Sequence, residues 1–419
     1  MIIDTFISSF MRFKTKDYLG FREFGNCEPP EAPGKDIQLY MHIPFCMVLC
    51  PYCSFHRVAF REDLTRSYYK AIRIELEIYK QRGFRFSEIY IGGGTPTILM
   101  DELIETLKHI HKLFRPRDIS VETNPDTLNK DTLTALSDLG VGRVSVGIQT
   151  FNDDILKLIG RYDKYGSGDE LRNKILSAKD FIRTLNIDMI YNYPVQNKDQ
   201  LLNDIYILNN IRPAQVTFYP LMVSDKTIIE MKKIMGHHSF RKERVFNKLI
   251  SENLLPDYSP QSAWCFSLSE AMIDEYVTSN EDYAGAGSGA FGLANGSIYA
   301  NTFSISRYIK DIQDGRLPVY ARKKFSKKEL ARYMFLMGLF GLKVPRNSFI
   351  QRFGKDPWNL LPLECMFFTL IGAIRTTPEN LYLTEKGRYY WVIMMREFFT
   401  GVDNFRDMSR LEAGSENEK

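Results

Sequence analysis

The chain has 419 residues, 44% of them hydrophobic and 25% charged, with a net charge of +4. That length can bury a large core and suits two or three domains, while so small a net charge, with no Lys/Arg run interleaved with aromatics, argues against a nucleic-acid partner. Met1 to Met11 is too short and too poorly flanked for a signal peptide, and the apolar run Cys365 to Ile374 falls under the roughly 18 residues a membrane helix needs, so a cytoplasmic protein with no membrane span is expected.

Residues 1–36 read as an N-terminal extension. A strand is expected from Gln38 to Ile43, and it runs into His42-Ile-Pro-Phe-Cys-Met-Val-Leu-Cys-Pro-Tyr-Cys-Ser-Phe-His56. There Cys46, Cys50 and Cys53 are spaced x3 and x2. Three thiolates on one short loop can hold three irons of a cubane cluster and leave the fourth iron open. The alternative is structural zinc, which needs a fourth ligand; Cys27, Cys265 and Cys365 stand isolated, which leaves His56. Six cysteines with three in one such motif also point to a reducing compartment.

Further strands are expected at Glu88 to Ile91, Ile119 to Glu122, Arg143 to Ile148, Ile187 to Tyr191 and Gln215 to Tyr219. Amphipathic helical patterns separate them, such as Leu64 to Arg82, with Tyr68, Ile72, Leu76 and Tyr79 on one face, and Asp101 to Phe114. Six such units make an α/β fold, either a partial (β/α)6 barrel or a doubly wound open sheet. The strand ends favour the barrel, because barrel chemistry collects at the C-terminal ends of strands. The first ends in the cysteine loop, the second in Gly92-Gly93-Gly94-Thr95-Pro96-Thr97 and the third in Glu122-Thr123-Asn124-Pro125. The fourth ends in Gly147-Ile148-Gln149-Thr150, and the fifth carries Asp188 and leads to Asn192 and Pro194.

The barrel pattern spans residues 37–223 and then breaks. Residues 224–320 read as a cap or substrate region, with one or two helices between Thr227 and Ser251. They include a glycine-dense loop, Asp282 to Gly292, whose backbone could approach a ligand closely. After a linker at Asp314 to Pro318, the basic Lys323 to Lys328 stretch starts a solvated helix, Lys328 to Leu342. Leu381 to Arg388 and a long apolar helix complete a domain over 325–400. The tail, 401–419, is expected to be disordered from Glu412 onwards.

The cysteine spacing, with aromatic Tyr52 before the third cysteine, and the motifs that follow it in order resemble the radical SAM superfamily. The resemblance is to the branch of oxygen-independent coproporphyrinogen III oxidase, its related haem chaperone and the similar radical methyltransferases. It runs from about Leu39 to about Tyr320 and more weakly to about Phe398. It implies a partial (β/α)6 radical SAM barrel and a small winged-helix-like C-terminal module. The cofactors it implies are a [4Fe-4S] cluster on Cys46, Cys50 and Cys53 and S-adenosylmethionine, of which this branch can accommodate two molecules. In such proteins the open iron chelates S-adenosylmethionine, and one electron breaks a carbon–sulfur bond to give a 5'-deoxyadenosyl radical.

By the same resemblance, Gly92, Gly93, Gly94 and Thr95 lie against the methionine amine. Glu122, Gln149 and Asp188 take ribose hydroxyl or amine groups, Arg161 in Leu156-Lys-Leu-Ile-Gly-Arg161 takes a carboxylate, and Tyr40 sits near the adenosyl group. Read without the resemblance, Glu122 and Arg161 could be a structural ion pair and Tyr40 a core residue. The partners implied are a small-molecule tetrapyrrole substrate and a reduced flavodoxin or ferredoxin-type electron donor.

Two departures narrow the expected reaction. The oxidases carry a further cysteine two residues after the third cluster cysteine, where this chain has Phe55. The chaperones carry Phe there too, but also histidines for haem. Here Pro256 to Ala284 has Ala263-Trp264-Cys265-Phe266 and no histidine, and the glycine loop has Gly289-Ala290-Phe291 in place of Gly-Ala-His. Cys265, His237 and His238 are the remaining candidates for haem iron. These departures favour an enzyme with its own substrate, acting by methyl transfer or porphyrin-ring modification. Coproporphyrinogen decarboxylation and haem chaperoning are the alternatives.

Overall fold

Six strands form where β-branched and aromatic residues cluster: β1 (Asp36–Ile43), β2 (Arg85–Gly93), β3 (Asp118–Thr123), β4 (Val141–Gln149), β5 (Thr184–Tyr191) and β6 (Gln215–Pro220). They pair in parallel in sequence order, and helices Glu62–Gln81, Met100–Leu113, Lys130–Asp138, Gly168–Ala178 and Lys198–Ile211 cross between them. The computed structural model describes residues 2–269 and 282–412.

The period-2 alternation of strand side chains sorts apolar from polar residues. Ile37, Leu39, Met41, Ile119, Val121, Val144, Val146, Leu185 and Ile187 pack under the helices in the main core. The helix Glu62–Gln81 buries Tyr68, Ile72, Leu76 and Tyr79 there, as its spacing predicts. The alternate positions carry a polar network, buried and hydrogen-bonded as such groups must be. Arg143 Nε donates to Gln215 Oε1 at 2.7 Å and Nη1 to Ser120 Oγ at 3.0 Å. Gln215 Nε2 reaches Ser267 Oγ at 2.9 Å, and Thr217 Oγ1 reaches Asn186 Oδ1 at 3.0 Å.

The strands expected only as loop or cap widen this sheet. On one side β7 (Cys265–Ser267) runs antiparallel to β6. On the other, β8 (Tyr283–Ala286) runs parallel to β1. It is followed by the antiparallel β9 (Phe291–Ala294), β10 (Ser297–Asn301) and β11 (Val319–Lys324). Residues 283–324 thus extend the sheet beyond β1, and two helices, Asp225–Met235 and Phe240–Asn253, fill the stretch after β6. The glycine loop approaches its own chain. A Cβ on Gly287 (φ +94°) would lie 2.4 Å from the His42 carbonyl oxygen, and one on Gly289 (φ +72°) 2.6 Å from the His56 ring.

Buried Glu75 pins that loop: Gly287 N donates to Oε2 at 2.8 Å and the Tyr308 hydroxyl at 2.6 Å. Burial pushes its carboxyl up to about 8, so the protonated form is favoured, and Asn301 beside it carries a buried Oδ1 with no donor among the described residues. A carboxyl raised on folding stabilises below its unfolded pKa and loses that contribution as pH climbs to the folded value. Glu75→Gln is therefore expected to gain stability over the wild type as pH rises from about 5 to about 8, by roughly 1.4 kcal/mol per pH unit at most. Melting temperatures of both proteins at pH 5.5, 7 and 8.5 check this, and a constant difference refutes it.

Beyond the sheet, helix Lys327–Phe340 leads to a three-stranded antiparallel sheet (Lys343–Pro345, Asn380–Leu383, Ile374–Thr376), with helices Arg346–Phe353 and Pro362–Leu370 between its strands. The C-terminal helix runs Glu385–Glu412, past the expected boundary at 400. The rest of the expected tail lies outside the described residues. The N-terminal extension contains a helix, Ile2–Tyr18, laid along the C-terminal one: Ser8 Oγ donates to Glu397 at 2.7 Å, and a Cβ on Gly401 would overlap Thr15. Their contact belongs to a second apolar core with Ile7, Met11, Trp264, Phe340 and Trp391. No helix among the described residues is long and apolar enough to cross a membrane.

Candidate cofactor site at the barrel mouth

The expected site residues gather at the C-terminal ends of β1 to β5. Cys46, Cys50 and Cys53 lie on the loop after β1, all three half-buried and free. A chain of contacts links Cys46 to Cys50. Thr95 Oγ1 is 3.8 Å from Cys46 Sγ, Asn124 Nδ2 donates to Thr95 Oγ1 at 2.6 Å, Arg161 Nη2 reaches Asn124 Oδ1 at 3.4 Å, and Arg161 Nη1 is 3.9 Å from Cys50 Sγ. The Arg161 guanidinium also donates to the Gly147 carbonyl and lies 4.3 Å over the Tyr165 ring. Asn124 is the member that the sequence reading passed over. Its only signal was its place in the polar end of the third strand.

This arrangement fits a cubane better than a single ion. Cubane thiolates each bind a different iron, and three free thiols on one loop supply three of them. His56, the expected fourth zinc ligand, faces away. It is fully buried, its Nε2 sits 3.1 Å from Ser288 Oγ, and its ring stacks on His42 and packs against Phe303. Burial pushes the Cys46 thiol up to about 11 and raises that of Cys53. Arg161, Lys164 and Arg57 bring positive charge close to these thiols, which favours their thiolate forms.

The glycines answer to the protein's own packing. A Cβ on Gly92 would lie 2.7 Å from the Glu122 carboxylate, on Gly93 (φ +117°) 2.6 Å from the His42 ring, and on Gly94 2.6 Å from the Phe45 carbonyl. Without side chains the β2 end lets Glu122 swing beneath it. Gly93 N donates to Glu122 Oε2 at 2.9 Å and the Tyr90 hydroxyl to Oε1 at 2.8 Å. Glu122 and Arg161 therefore hold different partners and do not form the ion pair that was the alternative. Burial raises the Glu122 carboxyl, and the Gly93 and Tyr90 donors oppose that shift.

Asp188 on β5 accepts from Ser145 Oγ and Asn186 Nδ2, each at 2.7 Å, and burial pushes it up to about 7. Gln149 ends β4 at φ +76° beside a register shift, a strained position of the kind concentrated at binding sites. Tyr40 is buried on β1, its hydroxyl 2.7 Å from His42 Nδ1, and His42 Nε2 is 2.8 Å from the His56 carbonyl oxygen. A carbonyl only accepts, so His42 carries its proton on Nε2 and the Tyr40 hydroxyl donates to Nδ1. Burial holds that imidazole neutral, down at about 3.

Of the haem-ligand candidates, Cys265 is fully buried on β7 and His238 Nε2 lies 2.7 Å from the Asn192 amide nitrogen.

Residues 40–205 match the family model described as the radical SAM superfamily. The chain is 26% identical over 364 residues to the haem chaperone HemW of Bacillus subtilis, covering 83% of this chain and 95% of that one. It is 27% identical over 363 residues to an anaerobic coproporphyrinogen III oxidase of Cereibacter sphaeroides, covering 79% and 78%. The fold superposes on coproporphyrinogen III oxidase (HemN) from Escherichia coli, a radical SAM enzyme, with a TM-score of 0.73 at 18% identity, over 88% of this chain and 91% of that one. Residues 40–205 are a radical SAM domain, a domain type that implies a [4Fe-4S] cluster and S-adenosylmethionine, and the chain is a homologue of HemW and of oxygen-independent coproporphyrinogen III oxidase.

Proposed function

We propose that this chain is a radical SAM enzyme that modifies a tetrapyrrole, with Cys46, Cys50 and Cys53 holding the cluster. The closed chain Cys46–Thr95–Asn124–Arg161–Cys50 carries the reading, because it fixes two thiols and one guanidinium in one rigid frame at the barrel mouth. When bound, the cluster and S-adenosylmethionine supply one-electron, hydrogen-abstracting chemistry, with a flavodoxin or ferredoxin-type protein as donor.

The chain's own residues hold the cofactor. Arg161, with its planar fork, binds the methionine carboxylate. Glu122 and the backbone of Gly92 to Thr95 face its amine, and Gln149 and Asp188 face the ribose hydroxyls. Burial pushes Asp188 up to about 7, so near neutral pH it can accept from or donate to a hydroxyl. Tyr40, oriented by His42, lines the adenosyl side. Six cysteines without a disulfide support a reducing, cytoplasmic setting.

The test is anaerobic reconstitution with iron and sulfide, then reduction with S-adenosylmethionine in the presence of candidate tetrapyrroles. 5'-Deoxyadenosine is the expected product, and S-adenosylhomocysteine beside it would assign methyl transfer; a decarboxylated porphyrinogen would assign oxidase chemistry. The relationship to HemW over most of the chain supports a second reading, a haem chaperone. Stoichiometric haem binding with cluster formed and no 5'-deoxyadenosine would establish that reading and overturn the first.

A further inference from the structure

The last turns of the C-terminal helix lie beyond the sequence resemblance, yet they bridge the barrel mouth. At one side Asn404 exchanges hydrogen bonds with Asp225, donating to Oδ2 at 3.0 Å and accepting from the backbone N–H at 2.8 Å. At the other, Arg410 Nη1 is 3.4 Å from the carbonyl of Phe55, two residues past the last cluster cysteine. Between these anchors Val402, Phe405, Arg406 and Ser409, spaced by three and four, turn one buried face inward.

That face mixes apolar walls with two polar groups. Phe405 packs on Phe21, Phe291 and Phe303. The Arg406 guanidinium lies 5.0 Å over Phe55 and 5.8 Å over Phe291, and donates to Asp403 Oδ1 at 2.8 Å. Its stacking on Phe55, two residues past Cys53, places it beside the cysteine loop. One helical turn on, Ser409 is 2% exposed, and its Oγ has no hydrogen-bond partner among the described residues. A buried, unpartnered hydroxyl is costly unless a ligand completes it.

We propose that Arg406 and Ser409 form a carboxylate-binding pair over the barrel mouth that selects an acidic substrate, the aromatic rings taking the flat apolar body of the molecule. The inference rests on the tetrapyrrole reading, whose candidate substrates combine a planar ring with carboxylate side chains. Arg406 grips one carboxylate oxygen and the Ser409 hydroxyl donates to the other.

The test titrates reconstituted holoprotein with deuteroporphyrin IX, a porphyrin dicarboxylate, and with its diamide, following porphyrin absorbance. Wild type is expected to prefer the dicarboxylate. Arg406→Gln should weaken it about tenfold with the diamide unchanged, Arg406→Lys should retain part of the preference, and Ser409→Ala should lose a few-fold. Equal losses for both probes in Arg406→Gln would make Arg406 a packing residue, and no preference in the wild type would likewise overturn the pair while leaving the tetrapyrrole reading intact. No binding of either probe by the wild type would overturn both.

Discussion

Cys50→Ala is expected to reduce 5'-deoxyadenosine formation to background and to leave reconstituted protein without its brown iron–sulfur chromophore. Two thiolates on a loop cannot hold a site-differentiated cubane, and neither Cys27, Cys265 nor Cys365 can substitute. Cys27 lies in the N-terminal extension with Sγ 3.3 Å from the Tyr320 carbonyl, and the other two are fully buried elsewhere. The same loss follows for Cys46→Ala and Cys53→Ala, whereas Cys27→Ala should reconstitute and cleave as the wild type does. Iron and sulfide content, with product chromatography, decides this. A normal iron content in Cys50→Ala would remove that residue from the ligand set.

Arg396→Met should destabilise the protein by about 3–5 kcal/mol, the range for removing one partner of a buried ion pair. The Arg396 side chain is 5% exposed and links Glu243, 0% exposed, to Glu397, 1% exposed, and its guanidinium stacks 4.3 Å over Phe240. Arg12 would still serve Glu397, so the carboxyl left without its guanidinium is Glu243, which keeps the Tyr389 hydroxyl at 3.3 Å and which burial already raises. Adding Glu243→Gln should recover much of the loss, because the amide removes the unpaired charge. Denaturant midpoints of the two single variants and the double variant measure the coupling, and a single-variant loss under about 1 kcal/mol would show that the pair is solvated.

The barrel was legible because its signals are local. Each strand shows its own alternation, and the cysteines, the glycine triplet and Glu122 stand at strand ends where a reader looks for them. The buried frame was harder to read. Asn124, Ser145, Asn186 and Arg143 look like ordinary polar strand residues until the strands are side by side and their side chains share one interior. The glycine loop at Asp282 to Gly292 suggested a ligand, since sequence shows that side chains are missing but not what fills the space. Here the His42 carbonyl and the His56 ring fill it. The sheet extension escaped for a different reason: β8 pairs in parallel with β1, and nothing within either segment encodes a partner so far along the chain. Arg406 and Ser409 were hidden because they fall within 401–419, beyond the expected C-terminal domain.

The pairing of the Ile2–Tyr18 helix with the Glu385–Glu412 helix sets an order on synthesis. The apolar stripe of the first helix, Ile7, Met11 and Tyr18, is made well before its partner surface on the Glu385–Glu412 helix. The barrel between them can assemble while translation continues, as domains generally do. Until the Glu385–Glu412 helix is made, that stripe lacks the partner surface it has in the folded protein, so the Ile2–Tyr18 helix stays unpaired while the barrel between them is synthesised.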